Sequence, residues 1–287
     1  GETISYSTPI RYCIAADQLA AFLRLCSQFS VDMDSKHYKD VATHYDAQVF
    51  YDTDGPLVQW QRDLVMSKLQ LCPGDKLVDV GGGTGGFTHL LAKQMLAAGD
   101  LDPSVTLLEP SEEMLANART RTEPSMQTMH GTAVTMVEEG IEFNKVLLKE
   151  VIHHLDTQER MVFLRGLCNG MPPGGRVLIV TRPQFPAYPF PEAVREEWAA
   201  HQEPHSIFEE QLREAGFEVE VSTESFPLTM PKAAWNGMLQ GKVWSTFAHF
   251  SDEELSEWIQ QLDVAHPGPD FSFSEVEIFV VGVKPGL

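Results

Sequence analysis

Basic residues are scarce in this chain of 287 residues: 21 Lys and Arg stand against 41 Asp and Glu, a formal charge of −20. Nucleic-acid surfaces are built on clustered Lys and Arg, and anionic membranes also attract basic segments, so both are excluded as expected partners. Cysteine is scarce as well. Cys13, Cys26, Cys72 and Cys168 lie far apart with no C-x-x-C spacing, which argues against a zinc framework or disulfide scaffold and fits a reducing compartment. Long apolar runs are missing. Stretches such as Val177 to Val180 and Ile278 to Val283 are strand-sized, far below the roughly 20 residues of a membrane span. The opening GETISYSTPIRYC lacks the basic and then apolar pattern of a secretory signal. The expectation is a soluble cytoplasmic protein. The acidity itself names no substrate, being compatible with a cationic or neutral small molecule.

With 43% hydrophobic residues, the chain can bury a full core, as one large domain or a core with a cap. Residues 15–29 place Leu19, Phe22, Leu23, Leu25, Cys26 and Phe29 near helical spacing. A second helix is predicted from about Pro56 to Leu71. The turn signal Cys72-Pro73-Gly74-Asp75 then precedes a short apolar strand, 76–80. Beyond it the pattern alternates: helix 86–98, strand 104–109, helix 111–120, strand 126–130, helix 132–139, strand 143–149, helix 156–170 and strand 176–181. Such alternation argues for an α/β fold with a largely parallel sheet. After Thr181 comes a proline-rich stretch, then a helix 205–215 closed by Gly216. A strand 217–223, a helical insertion at about 231–263 and a last strand 274–283 follow. The predicted division is a helical cap over 1–70 and a core over 71–287.

The strand 76–80 runs straight into Gly81-Gly82-Gly83-Thr84-Gly85-Gly86. A strand, a glycine turn and a helix together let backbone N–H groups approach a ligand at a helix N-terminus. Gly81, Gly83 and Gly86 satisfy the dinucleotide pattern G-x-G-x-x-G. Gly81, Gly83 and Gly85, with Asp79 ahead of them, satisfy an acidic-x-G-x-G-x-G pattern. The neighbours decide. Asp79 would repel a pyrophosphate but suits a cationic amino-acid ligand. Glu109 closes the next strand, where ribose hydroxyls are usually held, yet it comes later than the roughly 20 residues expected of a dinucleotide site. Two carboxylates around one glycine loop point to a ligand with a ribose and an ammonium or sulfonium group.

The successive motifs LVDVGGGTGGF, LLEPSEEML, MHGTA, NKVLLKEVIHHL and PPGGRVLIV resemble, in order and spacing, those of class I S-adenosylmethionine-dependent methyltransferases of the small-molecule type. The resemblance implies a Rossmann-like seven-stranded sheet of order 3-2-1-4-5-7-6, with its last strand antiparallel, an N-terminal helical cap and a helical lid insertion. It implies S-adenosyl-L-methionine as cofactor and S-adenosyl-L-homocysteine as product. Gly81, Gly82 and Gly83 would face the methionine part and Asp79 its amino group. Glu109, beside Pro110, would take the ribose hydroxyls, and Met114 would pack on the adenine. Thr132 and Ala133 occupy the adenine-edge segment, with Thr132 where such families often carry Asp. Lys149 opens the motif after strand four, where small or acidic residues are commoner. Tyr45 resembles a tyrosine that closes over the cofactor.

For chemistry, His153 and His154 follow strand four at the edge where ligands bind, and histidine is the usual neutral-pH base. His154 matches the position of a catalytic histidine in phosphobase methyltransferases. Neighbouring side chains on a strand end diverge and no third ligand is indicated, so no metal is expected. Tyr51, Trp60, Trp235 and Trp244 could cage a methylammonium by cation–π contact, although helical spacing in the insertion also reads as core packing. The leading expectation is transfer of a methyl group to a small-molecule N or O acceptor. Three rivals stand beside it: a protein or tRNA methyltransferase, an NAD-dependent oxidoreductase, and a non-catalytic relative that binds the cofactor.

Overall fold

In β1 (Lys76–Val80), every residue after Lys76 is buried, as a strand covered on both faces requires. The computed structural model describes residues 50–138 and 140–286. The predicted helix 15–29 and Tyr45 lie outside them. β1 pairs in parallel with β2 (Ser104–Glu109), through Leu77↔Val105, and with β4 (Lys145–Lys149), through Leu77↔Lys145. β3 (Gln127–His130) flanks β2, and β5 (Arg176–Thr181) flanks β4. β7 (Asp270–Val283) inserts antiparallel between β5 and the edge strand β6 (Glu218–Pro231). The order is β3-β2-β1-β4-β5-β7-β6, as the family resemblance implies.

Alternate residues of the central strands feed two cores. One face gathers Val78, Val146 and Ile179 against Phe163, Leu164 and Leu167 of α5 (Thr157–Gly170) and Phe208 and Leu212 of α7 (His205–Ala215). The other gathers Leu77, Leu147 and Leu178 against Val65 and Leu69 of α1 (Pro56–Leu69) and Leu91 and Met95 of α2 (Gly86–Ala97). The smaller α3 (Glu112–Ala118) and α4 (Ala133–Glu138) complete the crossovers after β2 and β3. Helix starts follow local chemistry. The Asp156 side chain accepts from the Gln158 and Glu159 N–H groups, and Glu159 reaches back to the Asp156 N–H, capping α5.

The late segment departs from expectation. β6 runs to Pro231 rather than stopping at 223, and β7 starts at Asp270 rather than 274. Pro227 and Pro231 read as breakers in sequence, but β6 is an edge strand, where a missing N–H is tolerated. β5 pairs only with Ile278–Val283, so the β6–β7 hairpin overhangs the sheet. The overhang carries α8 (Lys232–Gln240), a short 3₁₀ turn (Ser245–His249) and α9 (Asp252–Ala265), in place of one undivided insertion. A further helix, α6 (Glu192–His201), starts straight after the proline-rich stretch, with Pro191 at its N-cap. Together these elements enclose a third core of aromatic rings around Tyr188, Phe190, Trp198, Trp235 and Trp244. Among the described residues, no helix is long and apolar enough to cross a membrane.

Candidate functional site

The carboxyl ends of β1, β2 and β4 open on a cavity of about 240 Å³. The glycine loop forms one part of its wall. Gly81 has φ +72°, and a Cβ there would lie 2.5 Å from the Val151 side chain. At Gly83, with φ +58°, a Cβ would meet no heavy atom within 4 Å. The loop is thus tight against the protein at Gly81 and open at Gly83.

Asp79 stands beneath it, 3% exposed, and the Thr88 hydroxyl donates to its Oδ2 at 2.6 Å. Burial pushes its carboxyl up to about 6, against the opposing pull of that hydrogen bond and of Lys149. Glu109 receives the Gly83 N–H on Oε2 at 3.0 Å and the Ser111 N–H on Oε1 at 2.8 Å. Its carboxyl is also raised, chiefly by burial, with the two N–H donors opposing and the Asp79 charge adding to the rise. A carboxylate has about four acceptor sites, so both groups keep capacity for a ligand.

The structure brings most of the sequence-derived residues to this wall: Asp79, Gly81, Gly82 and Gly83; Glu109, Pro110 and Met114; Thr132 and Ala133; Lys149, His154 and Tyr51. His153 does not line it, although its ring centroid is 4.1 Å from that of His154. Trp60, Trp235 and Trp244 do not line it either, which corrects their reading as cage residues. Trp60 packs on Phe226 at 5.5 Å between centroids. Trp235 and Trp244, 1% and 7% exposed, sit in the aromatic core. Burying such large rings outweighs presenting them to a ligand. Trp244 still bears on the site indirectly, because its Nε1 donates to the Tyr51 hydroxyl at 3.1 Å.

Sequence reasoning missed part of the wall. Phe50, Val58 and Gln61 enter from α1 and the segment before it, and Phe87 lies under the Lys149 ammonium, 5.2 Å from its ring centroid. Glu150 also lines it, in the left-handed region at φ +58°, a conformation that costs a non-glycine residue energy and clusters at functional sites. Behind Glu150 lies a buried network. Arg182 donates to Glu150 at 2.6 Å and to Glu275 at 2.8 Å, and the Tyr188 hydroxyl donates to Glu275 at 2.6 Å. Glu277 accepts from the Gln61 amide. Burial pushes the Glu277 carboxyl up to about 7. A signal was available: Glu275 and Glu277 are two apart in an apolar strand, which puts both on one face, and Arg182 directly follows β5.

The sheet order, with a ligand-sized cavity at the carboxyl edge, defines a Rossmann-like α/β class. A family model described as a methyltransferase domain matches residues 77–175, from β1 to the turn before β5. Similar solved structures have the same fold. Phosphoethanolamine N-methyltransferase 2 of Haemonchus contortus, in complex with S-adenosyl-L-methionine, is 19% identical with a TM-score of 0.55, over 90% of this chain and 60% of that one. The cyclopropane synthase MmaA2 of Mycobacterium tuberculosis is 18% identical with a TM-score of 0.53, over 86% of this chain and 98% of that one. The YcgJ protein of Bacillus subtilis is 14% identical with a TM-score of 0.51, over 80% and 100%. No curated protein matches the sequence.

Proposed function

We propose that this protein is an S-adenosylmethionine-dependent methyltransferase that acts on a small-molecule acceptor. The observation that carries the reading is the convergence of Asp79, Glu109 and the open face of Gly83 on one cavity. These residues fit the cofactor's polar groups. Asp79 would hold its ammonium, Glu109 its ribose hydroxyls, and Met114, Thr132 and Ala133 its adenine. The dinucleotide alternative fits less well, since a pyrophosphate at Gly81–Gly83 would face two buried carboxyls. Bound S-adenosylmethionine supplies an electrophilic methyl group on a sulfonium.

The chain's own part is alignment, exclusion of water and handling of a proton. Phe50, Val58, Phe87 and Leu155 give the cavity apolar surface, which keeps water from competing with the acceptor. His154 lines the cavity just after β4 and would take the proton from a hydroxyl or ammonium acceptor. The experiment is calorimetric titration with S-adenosylmethionine, followed by mass spectrometry of a metabolite pool for a gain of one methylene. Glu109→Ala is expected to weaken cofactor binding by about 1–3 kcal/mol, the size of a lost charge-assisted hydrogen bond. Unchanged affinity in a folded variant would remove Glu109 from the site.

A further inference from the structure

The wall contributed by α1 and the end of β4 holds polar atoms that cofactor binding does not employ. Gln61 is fully buried and lines the cavity. Its amide nitrogen is spent on Glu277, while its Oε1 has no hydrogen-bond partner among the described residues. The same holds for Glu150 Oε1 and Glu277 Oε2. The other Glu150 oxygen and both Glu275 oxygens are taken by Arg182 and Tyr188. Three acceptor oxygens and one donor, Arg182 Nη2, thus stand without a partner among the described residues, and two of those residues, Gln61 and Glu150, line the cavity. An orphaned buried polar atom is destabilising, and folded proteins keep few of them. Several together at a cavity wall mark a place where a ligand completes the bonding.

The surplus decides the ligand's chemistry. Glu150, Glu275 and Glu277 outnumber the two cations beside them, Arg182, whose guanidinium is already shared between two carboxylates, and Lys149, which lines the cavity and acts on Glu277. An anion would meet the unpaired lone pairs of Gln61 and Glu150. A neutral hydroxyl offers one donor, whereas a protonated amine offers up to three along with the opposite charge. The ring of Tyr51 on the same wall also favours a cation. We propose that the methyl acceptor carries a protonated amine, received by the free oxygens of Gln61 and Glu150 with Glu277 behind them. The word acceptor rests on the methyltransferase reading above; the amine site rests on these oxygens alone.

The test is calorimetric titration of the full chain, saturated with S-adenosylhomocysteine, with benzylamine, benzyl alcohol and benzoate, three probes of one size and different charge. Benzylamine is expected to bind at least about tenfold more tightly than benzyl alcohol, and benzoate more weakly than either. Gln61→Leu and Glu277→Gln, the second keeping the shape of the side chain, are each expected to erase most of that preference. Both should leave S-adenosylhomocysteine affinity within about twofold. Equal binding of the three probes, silence of all three, a preference for benzoate, or a preference unmoved in both variants overturns the inference. Loss of S-adenosylhomocysteine affinity in both folded variants also overturns it, by assigning the oxygens to the cofactor. If the parent chain takes up no S-adenosylhomocysteine, the methyltransferase reading falls. A benzylamine preference of the bare chain, lost in the two variants, would then uphold the amine site alone.

Discussion

Asp79 is a carboxyl group held almost without water, and its neutral form competes with its charged form near pH 6. A cationic ligand favours the charged form. Cofactor affinity is therefore expected to be full above about pH 6 and to fall, by up to about tenfold per pH unit, as the pH drops below that value. Calorimetry between pH 5 and 8 reads this directly, and Asp79→Asn should flatten the profile. A flat profile in the parent protein would show that Asp79 does not face the cation. At this scale Asp79, Glu109 and the glycine run were legible, because their types and spacing carry the chemistry. Gln61 and Glu150 were not: a lone glutamine in a helix and a glutamate after a lysine are ordinary until folding buries them beside a cavity.

The 3₁₀ turn Ile152–His154 follows β4 and carries both histidines, whose ring centroids lie 4.1 Å apart. Only His154 lines the cavity wall. His154→Ala is expected to lower kcat by about 10²–10⁴-fold, the range for a general base, with cofactor affinity nearly intact. His153→Ala should cost less. Near-parental turnover in both variants would leave alignment as the whole of catalysis. The β6–β7 overhang makes its own prediction. Trp235 touches Phe190 at 5.6 Å and Phe273 at 5.4 Å between centroids, deep in the aromatic core. Trp235→Ala should therefore destabilise the protein by about 3–5 kcal/mol in urea unfolding. A loss within the noise of the measurement would contradict the placement of that ring.

For the molecule as a whole, burial of the acids beneath the cavity ties stability to pH. Glu277 is raised from its ordinary value near 4.5 to about 7, so the folded state binds this proton more tightly than the unfolded one. Its contribution is full below about pH 4.5 and is lost as the pH rises through about 7, on the order of 2–3 kcal/mol. Asp79 acts in the same direction between about 4 and 6. Glu277→Gln imitates the protonated form. The denaturant midpoint is expected to fall less between pH 5 and 8 in this variant than in the parent. The comparison is needed because a chain of net charge −20 also repels itself more as its acids ionise. Identical slopes would mean that Glu277 titrates alike in both states.

Much of the architecture was present in the sequence. Short apolar strands alternate with helices from Lys76 to Thr181, and a parallel sheet follows because each strand must be covered on both faces. The glycines after β1 and the acids at Asp79 and Glu109 needed only local chemistry to be found. What tertiary structure decided lies where distant segments meet. Whether Trp235 and Trp244 face a ligand or a core depended on the β6–β7 overhang, whose prolines read as breaks and are tolerated only because β6 is an edge. The acidic wall needed α1, β4, β5 and β7 to converge, bringing Gln61 to Glu277 across 216 residues of chain. Spacing along a chain reports which face of one element a residue occupies. It carries no information about what a second element, far away in sequence, buries against that face.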